Sequence, residues 1–153
     1  RAASGETPQG KIYSVDRDAL WEFDVATEQA KFLGGTVVAT QNYITSLDAD
    51  PSGRYLYYIP GAHGGSERDG APVVQYDTRT RRRKVLCFLH PAVQSRTGYV
   101  PIGTFGSAVS PTGDKLYVTW NGAHDVADAT KKVPFRSVAM TVIHIPASER
   151  PVD

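Results

Sequence analysis

Three of the four histidines occur where an imidazole could have a chemical role. His63 and His124 each end a Gly-Ala-His tripeptide, and His90 follows the apolar stretch KVLCFL. An imidazole can bind a metal ion or act as a general base, because its pKa lies near neutrality and both ring nitrogens are usable. A carboxylate can orient it. The sequence therefore predicts a candidate site around these histidines. Its other members are four carboxylates, two arginines that could bind an anion and two tyrosine rings that could stack on a ligand: Glu67, Asp69, Asp125, Asp128, Arg68, Arg96, Tyr43 and Tyr99.

A structural role explains the same histidines equally well. In one interpretation His63 and His124 bind a divalent metal or a ligand. In the other, glycine permits a turn, and the imidazole bonds loop carbonyls, since repeats duplicate structural residues as readily as functional ones. Pro91 indicates that His90 helps to end a strand. The sequence contains no H-E-x-x-H, G-x-S-x-G, G-x-G-x-x-G or paired C-x-x-C motif, so it predicts no reaction class.

The stretches that carry the tripeptides are internal repeats. DPSGRYLYY matches SPTGDKLYV with Pro51 on Pro111, an offset of 60 residues, and LWEFDVATEQAKFL matches VVQYDTRTRRRKVL with an offset of 53. TVIHIP (141–146) takes the place of PVVQYD (72–77), and KIYSVD (11–16) that of RYLYYIP. Repeats of this length indicate a fold built from stacked units.

Short segments rich in Val, Ile, Tyr and Thr, bounded by Gly, Pro, Asn and Asp, predict strands in every unit. Pro and Gly in DPSG and SPTG predict tight hairpin turns. No window shows a sustained helical apolar period, so a helix of three or more turns is not expected between residues 44 and 120. The small, partly polar segments ITSLDAD (44–50) and GSAVS (106–110) suit strands that line a crowded channel.

The pattern S-P-x-G-x-x-L-Y-V, followed by a strand and Y-D-x-x-T, resembles bacterial β-propellers of the lactonase, YVTN-repeat and TolB-like kind, over about two thirds of the chain. The resemblance implies an all-β, partial β-propeller of about 2.5 to 3 four-stranded antiparallel blades. It favours a periplasmic or secreted location. The expected ranges within a single propeller segment (1–153) are an N-terminal tail (1–10), a partial blade (11–33), a complete blade (44–89) and a second partial blade (104–145).

This organisation predicts ten strands, too few for a closed ring. Either the chain belongs to a longer polypeptide, which the mid-blade start and stop favour, or other chains supply the remaining blades. An open arc exposes strand edges and apolar faces, so the chain is expected to associate.

Propeller geometry sorts the connections onto two sides. The long loops 34–43, 60–72, 90–103 and 121–136 share one side with His63, His90 and His124, and long loops on a rigid scaffold concentrate function. The short turns share the other side. That side includes RTRRRK (79–84), which suits a solvated turn better than a binding site for a polyanion or a membrane surface.

The composition argues against binding to nucleic acid and against a transmembrane segment. Seventeen basic and sixteen acidic residues leave a formal charge of +1, which gives no electrostatic footprint for nucleic acid. No apolar run approaches the ~20 residues of a transmembrane segment. The single cysteine, Cys87, is predicted to be a small buried hydrophobe.

Two classes of function follow, with a third in reserve. The first is a binding or assembly module, part of a larger propeller protein or complex, that uses the long-loop side for a partner or a small polar ligand. The alternative is an enzyme of lyase, lactonase or hydrolase type with His63 or His124 at the channel mouth. A lectin-like ring of identical short chains is the reserve. The first class is favoured because no catalytic motif is complete.

Overall fold

The described residues form eleven strands in three antiparallel sheets. A computed structural model describes residues 2–124, 126–127 and 135–151 of the chain. The first blade contains β1 (Ala2–Ala3), β2 (Lys11–Asp16), β3 (Ala19–Asp24) and β4 (Gln29–Gly35); the middle blade β5 (Leu47–Ala49), β6 (Tyr55–Tyr58), β7 (Pro72–Asp77) and β8 (Arg82–Phe88); the third blade β9 (Tyr99–Val109), β10 (Lys115–His124) and β11 (Ser137–His144). Each sheet follows the order of the chain, as in a propeller blade. The partial propeller predicted from the sequence is confirmed.

The core lies between the blades, with the middle blade buried on both faces. Strand β6 alternates along its length, as a strand of period two must. Leu56 and Tyr58 pack in the cluster shared with the first blade, whereas Tyr55 and Tyr57 pack in the cluster shared with the third blade. All four residues of β6 are buried. The strand is therefore apolar throughout, because neither of its faces meets solvent.

The two repeated Pro-Gly segments make the same turn. In the middle blade the Tyr55 N–H donates to the Asp50 carboxylate at 2.9 Å, and in the third blade the Lys115 N–H donates to the Ser110 hydroxyl at 3.0 Å. Gly53 and Gly113 lie at φ 73° and 72°, a backbone conformation that favours glycine. The repeated segments DPSG and SPTG thus each form a hairpin turn, and the first side chain of the segment caps the start of the next strand.

The predicted N-terminal tail contains a related turn that is one residue shorter. Lys11 N–H donates to Thr7 Oγ1 at 3.2 Å within the segment Thr-Pro-Gln-Gly, and β1 pairs with β2. The first blade therefore has four strands, of which β1 lies within the range predicted as the tail. The sequence contained a signal for this turn, because Thr7 to Gly10 has the same x-Pro-x-Gly pattern as the other two turns.

A helix occupies part of the connection 90–103, which was predicted as a loop. Helix α1 (Leu89–Thr97) has nine residues, about 2.5 turns, and therefore stays below the three turns that would contradict the fold. It ends at Gly98, whose N–H donates to the Gln94 carbonyl at 2.8 Å. None of its residues is fully buried, which is why no apolar period marked it. None of the described helices is long and apolar enough to cross a membrane.

The pairing of β10 and β11 corrects the repeat alignment by two residues. Tyr55 pairs with Asp77 in the middle blade, and Lys115, sixty positions after Tyr55, pairs with His144 in the third. The equivalent of PVVQYD is therefore 139–144 and not 141–146. A shift of two preserves the face of every side chain.

Candidate functional site

The long loops contact one another on one side of the blades. Gly61 and Ala62 donate their N–H groups to the Tyr43 carbonyl at 2.9 and 3.0 Å. The Asp69 carboxylate accepts from the Thr40 N–H at 2.8 Å and from the Thr40 hydroxyl at 2.7 Å. Asp69, predicted as a site carboxylate, thus fastens the loop 34–43 and has its oxygens occupied by that loop.

The two Gly-Ala-His histidines each lie against one of the predicted stacking tyrosines. The ring centroids of His63 and Tyr43 are 4.2 Å apart, and those of His124 and Tyr99 are 5.1 Å apart. Both imidazoles are exposed, and neither hydrogen-bonds a carboxylate or a backbone carbonyl of the described residues. Among the described residues, neither imidazole therefore shows the orienting carboxylate or the capped carbonyl that the sequence suggested, and both roles stay predictions.

The local backbone differs between the two copies of Gly-Ala-His. Gly61 lies at φ 104°, and a Cβ there would come within 2.7 Å of the Ser66 backbone. Gly122 lies inside β10, where a Cβ would meet the Val100 carbonyl of the neighbouring strand. His124 is the last residue of β10 and pairs with Tyr99, although 121–136 was predicted as a loop. One glycine makes a turn, and the other allows two strands to approach closely.

Glu67 is a buried part of the loop 60–72. It is 4% exposed, its Oε2 accepts the Gly65 N–H at 3.1 Å, and its Oε1 lies 3.8 Å from Arg68 Nε. Burial raises the pKa of this carboxyl, while backbone hydrogen bonds and the nearby Arg68 and His90 side chains act in the opposite direction. Glu67 therefore organises its own loop, and the Arg68 side chain is exposed.

His90 lies in the first turn of α1. Its Nε2 atom is 2.9 Å from Gln94 Oε1, one helical turn further on. This contact within the helix places the imidazole on α1 and not at the end of β8, where Pro91 was predicted to stop a strand.

Arg96, Tyr99 and His124 come together along a groove of about 410 Å³ between α1 and β11, called here the rim groove. Tyr99 is buried, and its hydroxyl donates to the Ser137 carbonyl at 3.1 Å. Burial raises the Tyr99 pKa to about 12, so the phenol stays protonated at neutral pH. Arg96 is exposed and makes no ion pair with a described residue. His63 does not line this groove.

The described residues do not bring three metal ligands together. Within 2–124, 126–127 and 135–151, no group of three or more His, Cys, Asp or Glu residues could hold a metal ion. Asp125 and Asp128, the predicted carboxylates nearest to His124, lie outside the described residues. The metal site at His63 and His124 stays a prediction.

A second cavity, of about 730 Å³, opens on the turn side and was not predicted. Asp48 of β5 lines it and accepts a hydrogen bond from the Ser107 hydroxyl of β9. Burial raises the pKa of Asp48, and the bond from Ser107 opposes that effect. The sequence feature that could have indicated this cavity is the small, partly polar character of ITSLDAD and GSAVS, which predicted that these strands line a channel.

No protein-family model matches the sequence, and no curated protein matches it significantly. Among solved structures, the chain is similar to a chain in the crystal structure of a nidogen/laminin complex, with 15% sequence identity and a TM-score of 0.54. The match covers 78% of this chain and 40% of that one. The structural neighbour is a propeller, and at this identity the likeness shows the fold alone. The narrower resemblance to lactonase, YVTN-repeat and TolB-like families stays a prediction.

Proposed function

We propose that this chain is an assembly and binding module. Its two outer blade faces pack against further propeller blades, and its long-loop side contacts a partner or a small polar ligand. The observation that carries the proposal is a difference in exposure between repeat-equivalent positions. The same positions are buried in the middle blade and open to solvent in the two outer blades.

The outward surface of the third blade, called the third-blade face, consists of Tyr117, Met140 and Val142. Its equivalents in the middle blade pack against the third blade: Tyr57 precedes Tyr117 by sixty residues, and the strand pairing places Val73 at the position of Met140. Tyr57 and Val73 are both 0% exposed, whereas Met140 is 62% exposed. A further blade on this face would bury it as the third blade buries the middle one.

The first blade presents the corresponding surface at the opposite end of the arc. This first-blade face consists of Trp21, Phe23 and Phe32, with the Trp21 and Phe32 rings 5.3 Å apart. By the offset of 53 residues, Trp21 matches Val74, which is 0% exposed against 38% for Trp21. Full burial of a large apolar side chain contributes about 1.5–3 kcal/mol, so each face offers a strong drive for docking.

The loop side supplies the binding part of the proposal. His63 on Tyr43, and His124 on Tyr99, present two exposed imidazoles that are each supported by a tyrosine ring. Exposed polar rings on a rigid frame suit contacts with a protein or a polar ligand. The enzyme alternative needs an oriented base, and no described carboxylate hydrogen-bonds either imidazole.

Sedimentation of the purified chain tests the proposal. The wild-type chain should associate at tens of micromolar through its exposed faces, and lysine pairs on either face (Trp21→Lys with Phe32→Lys, or Met140→Lys with Val142→Lys) should reduce association. The control, Ala26→Lys with Ser95→Lys, adds the same charge at exposed positions outside both faces and should associate like the wild type. A monodisperse 16.6 kDa wild-type monomer would contradict the proposal.

A further inference from the structure

The outer edge of the third blade is unpaired in the part of the chain that the structure describes. In the first and middle blades a fourth strand, β4 or β8, pairs with the outer edge of the third strand. In the third blade β11 pairs with β10 on one edge, and no described strand pairs with the other. An open strand edge is a template for pairing with another chain.

The backbone groups at this edge can be assigned. The Ile145 N–H donates to the Asp114 carbonyl at 2.8 Å, directly beyond the pair of Lys115 and His144. Because hydrogen-bonded pairs alternate in an antiparallel ladder, Ile143 and Thr141 direct their backbone groups towards β10. Met140 and Val142 therefore direct their N–H and C=O groups outwards.

The rim groove lies along this same edge. Residues 139–142 of β11 line one wall, and Leu89, Ala92 and Val93 of α1 line the other. The lining from β11 includes residues of both its faces, so the groove follows the edge of the strand. In the middle blade the corresponding space holds β8, whose Val85, Leu86 and Cys87 are half-buried. The groove thus matches a strand that carries apolar side chains.

The residues that follow β11 lead away from its open edge. In the first and middle blades four residues (25–28 and 78–81) turn the chain directly into the fourth strand. After β11, residues 145–151 instead cross to the middle blade, where Gln75 Nε2 donates to the Glu149 carbonyl at 2.7 Å. Arg54 Nη1 donates to the Pro151 carbonyl at 3.1 Å. This path separates the described C-terminal residues from the edge that a fourth strand would cover.

We propose that β11 and the rim groove bind an extended strand donated by a separate partner polypeptide. The strand pairs antiparallel with β11 through the outward backbone groups of Met140 and Val142, and its apolar side chains enter the groove beside α1. This form of recognition takes affinity from backbone hydrogen bonds and specificity from alternate side chains. The inference rests on the proposed function, because it names how one partner of the assembly module attaches.

A peptide taken from this chain can serve as the probe. Residues 81–89 include β8, the strand that occupies the same position in the middle blade, and a Cys87→Ser version avoids disulfide formation. The peptide should bind the intact chain and shift the backbone amide resonances of residues 138–142 and 89–97. A scrambled peptide of the same composition should not. Peptide binding is best measured on the Trp21→Lys, Phe32→Lys variant. This variant should associate less because its first-blade face is altered, while its third blade is intact.

Two substitutions at one residue separate backbone pairing from side-chain packing. Met140→Pro removes an outward N–H at an edge position that tolerates proline, and it should weaken peptide binding at least about tenfold. Met140→Ala keeps the N–H and should bind the peptide within about threefold of the wild type. Unchanged denaturation midpoints for both variants exclude misfolding as the cause.

The outcomes distinguish this inference from the proposed function. If the native peptide fails to bind while the wild-type chain still associates through its faces, strand donation is wrong and the assembly module stands. If the peptide binds and the chain does not associate, the assembly proposal fails and the strand site stands. A wild-type dimer that Met140→Pro abolishes, but that both Met140→Ala and the Trp21→Lys, Phe32→Lys pair retain, identifies a second copy as the occupant and overturns the partner polypeptide.

Discussion

The middle and third blades start from nearly the same sequence and differ in what covers them. Both have the Pro-Gly turn, a following strand with tyrosine at its third position, Tyr57 or Tyr117, and a Gly-Ala-His tripeptide. Tyr57 is 0% exposed because the third blade lies on it, whereas Tyr117 is half-buried and Met140 is largely exposed. Local sequence therefore specifies the strand and its face. A neighbouring blade decides whether that face becomes core.

The largest expected effect comes from truncating the equivalent tyrosines. Tyr57→Ala should lower the free energy of unfolding by about 3–5 kcal/mol, because it leaves a cavity between two blades and removes one of the two acceptors of Gln75 Nε2. Tyr117→Ala should cost less than about 1.5 kcal/mol, because part of that ring already meets solvent. Urea denaturation of both variants measures the difference.

An equal loss of unfolding free energy in Tyr57→Ala and Tyr117→Ala would contradict the difference between the two blades. It would show that the third-blade face is already covered in solution. If Tyr57→Ala does not fold, Tyr57→Phe provides the weaker test. It keeps the ring and removes only the contact with Gln75.

The next effect concerns the residue that caps each turn. Asp50→Ala should cost about 1–2 kcal/mol, because the buried Tyr55 N–H loses its acceptor. Ser110→Ala should cost somewhat less, because Lys115 is only half-buried. Thermal or urea denaturation gives both values.

Exchange of the two caps provides the matched control. Asp50→Ser places the third-blade residue in the middle blade and should recover most of the stability lost in Asp50→Ala. No recovery would mean that the charge of Asp50, and not its role as a hydrogen-bond acceptor, supports the turn.

The smallest effect is the contribution of the third-blade turn to the pH dependence of stability. Asp114, which occupies the position of Arg54, accepts hydrogen bonds from Thr112 and Ser110, and these lower its pKa from 3.8 to about 2. A pKa below the unfolded value contributes stability that is present above about pH 4 and is lost as the pH falls towards 2. Asp114→Asn should therefore show a shallower loss of stability over this range, measured by urea midpoints at successive pH values.

The acid slope should decrease in Asp114→Asn without disappearing, because Asp24 also has a pKa lowered to about 2, chiefly by its hydrogen bond with Lys11. An unchanged slope would mean that the hydrogen bonds from Thr112 and Ser110 do not persist in solution. An NMR titration of Asp114 in the wild-type chain checks the pKa directly.

Most of the fold could be predicted because strands and hairpin turns depend on neighbouring residues. Segments rich in Val, Ile, Tyr and Thr, together with Pro-Gly turns, marked β6, β7 and β10, and the repeat offsets placed them in blades. Helix α1 escaped prediction because it packs few residues on the core, so its sequence shows no apolar period. The extension of β10 to His124 also escaped, since it depends on pairing with the distant β9.

The roles of the candidate site residues stay predictions, and their contacts could not be predicted because residue types do not reveal their partners. Asp69 and Glu67 looked like free carboxylates, and both instead hold loops together. Tyr43 and Tyr99 were expected as surfaces for a ligand, and each lies beside a histidine of the same chain. These contacts join residues from separate loops, so only packing could show them.

By itself, the sequence determined the local chemistry of the repeat: a Pro-Gly hairpin turn followed by a short strand rich in Val, Ile, Tyr and Thr. These features act over a few residues, where backbone conformation and hydrogen bonding are local. The tertiary structure decided that Tyr57 is core while Met140 is surface, that His124 ends a strand while His63 lies in a loop, and that no described strand pairs with the outer edge of β11. Those properties depend on which blade or strand lies alongside, a relation between residues far apart in the chain.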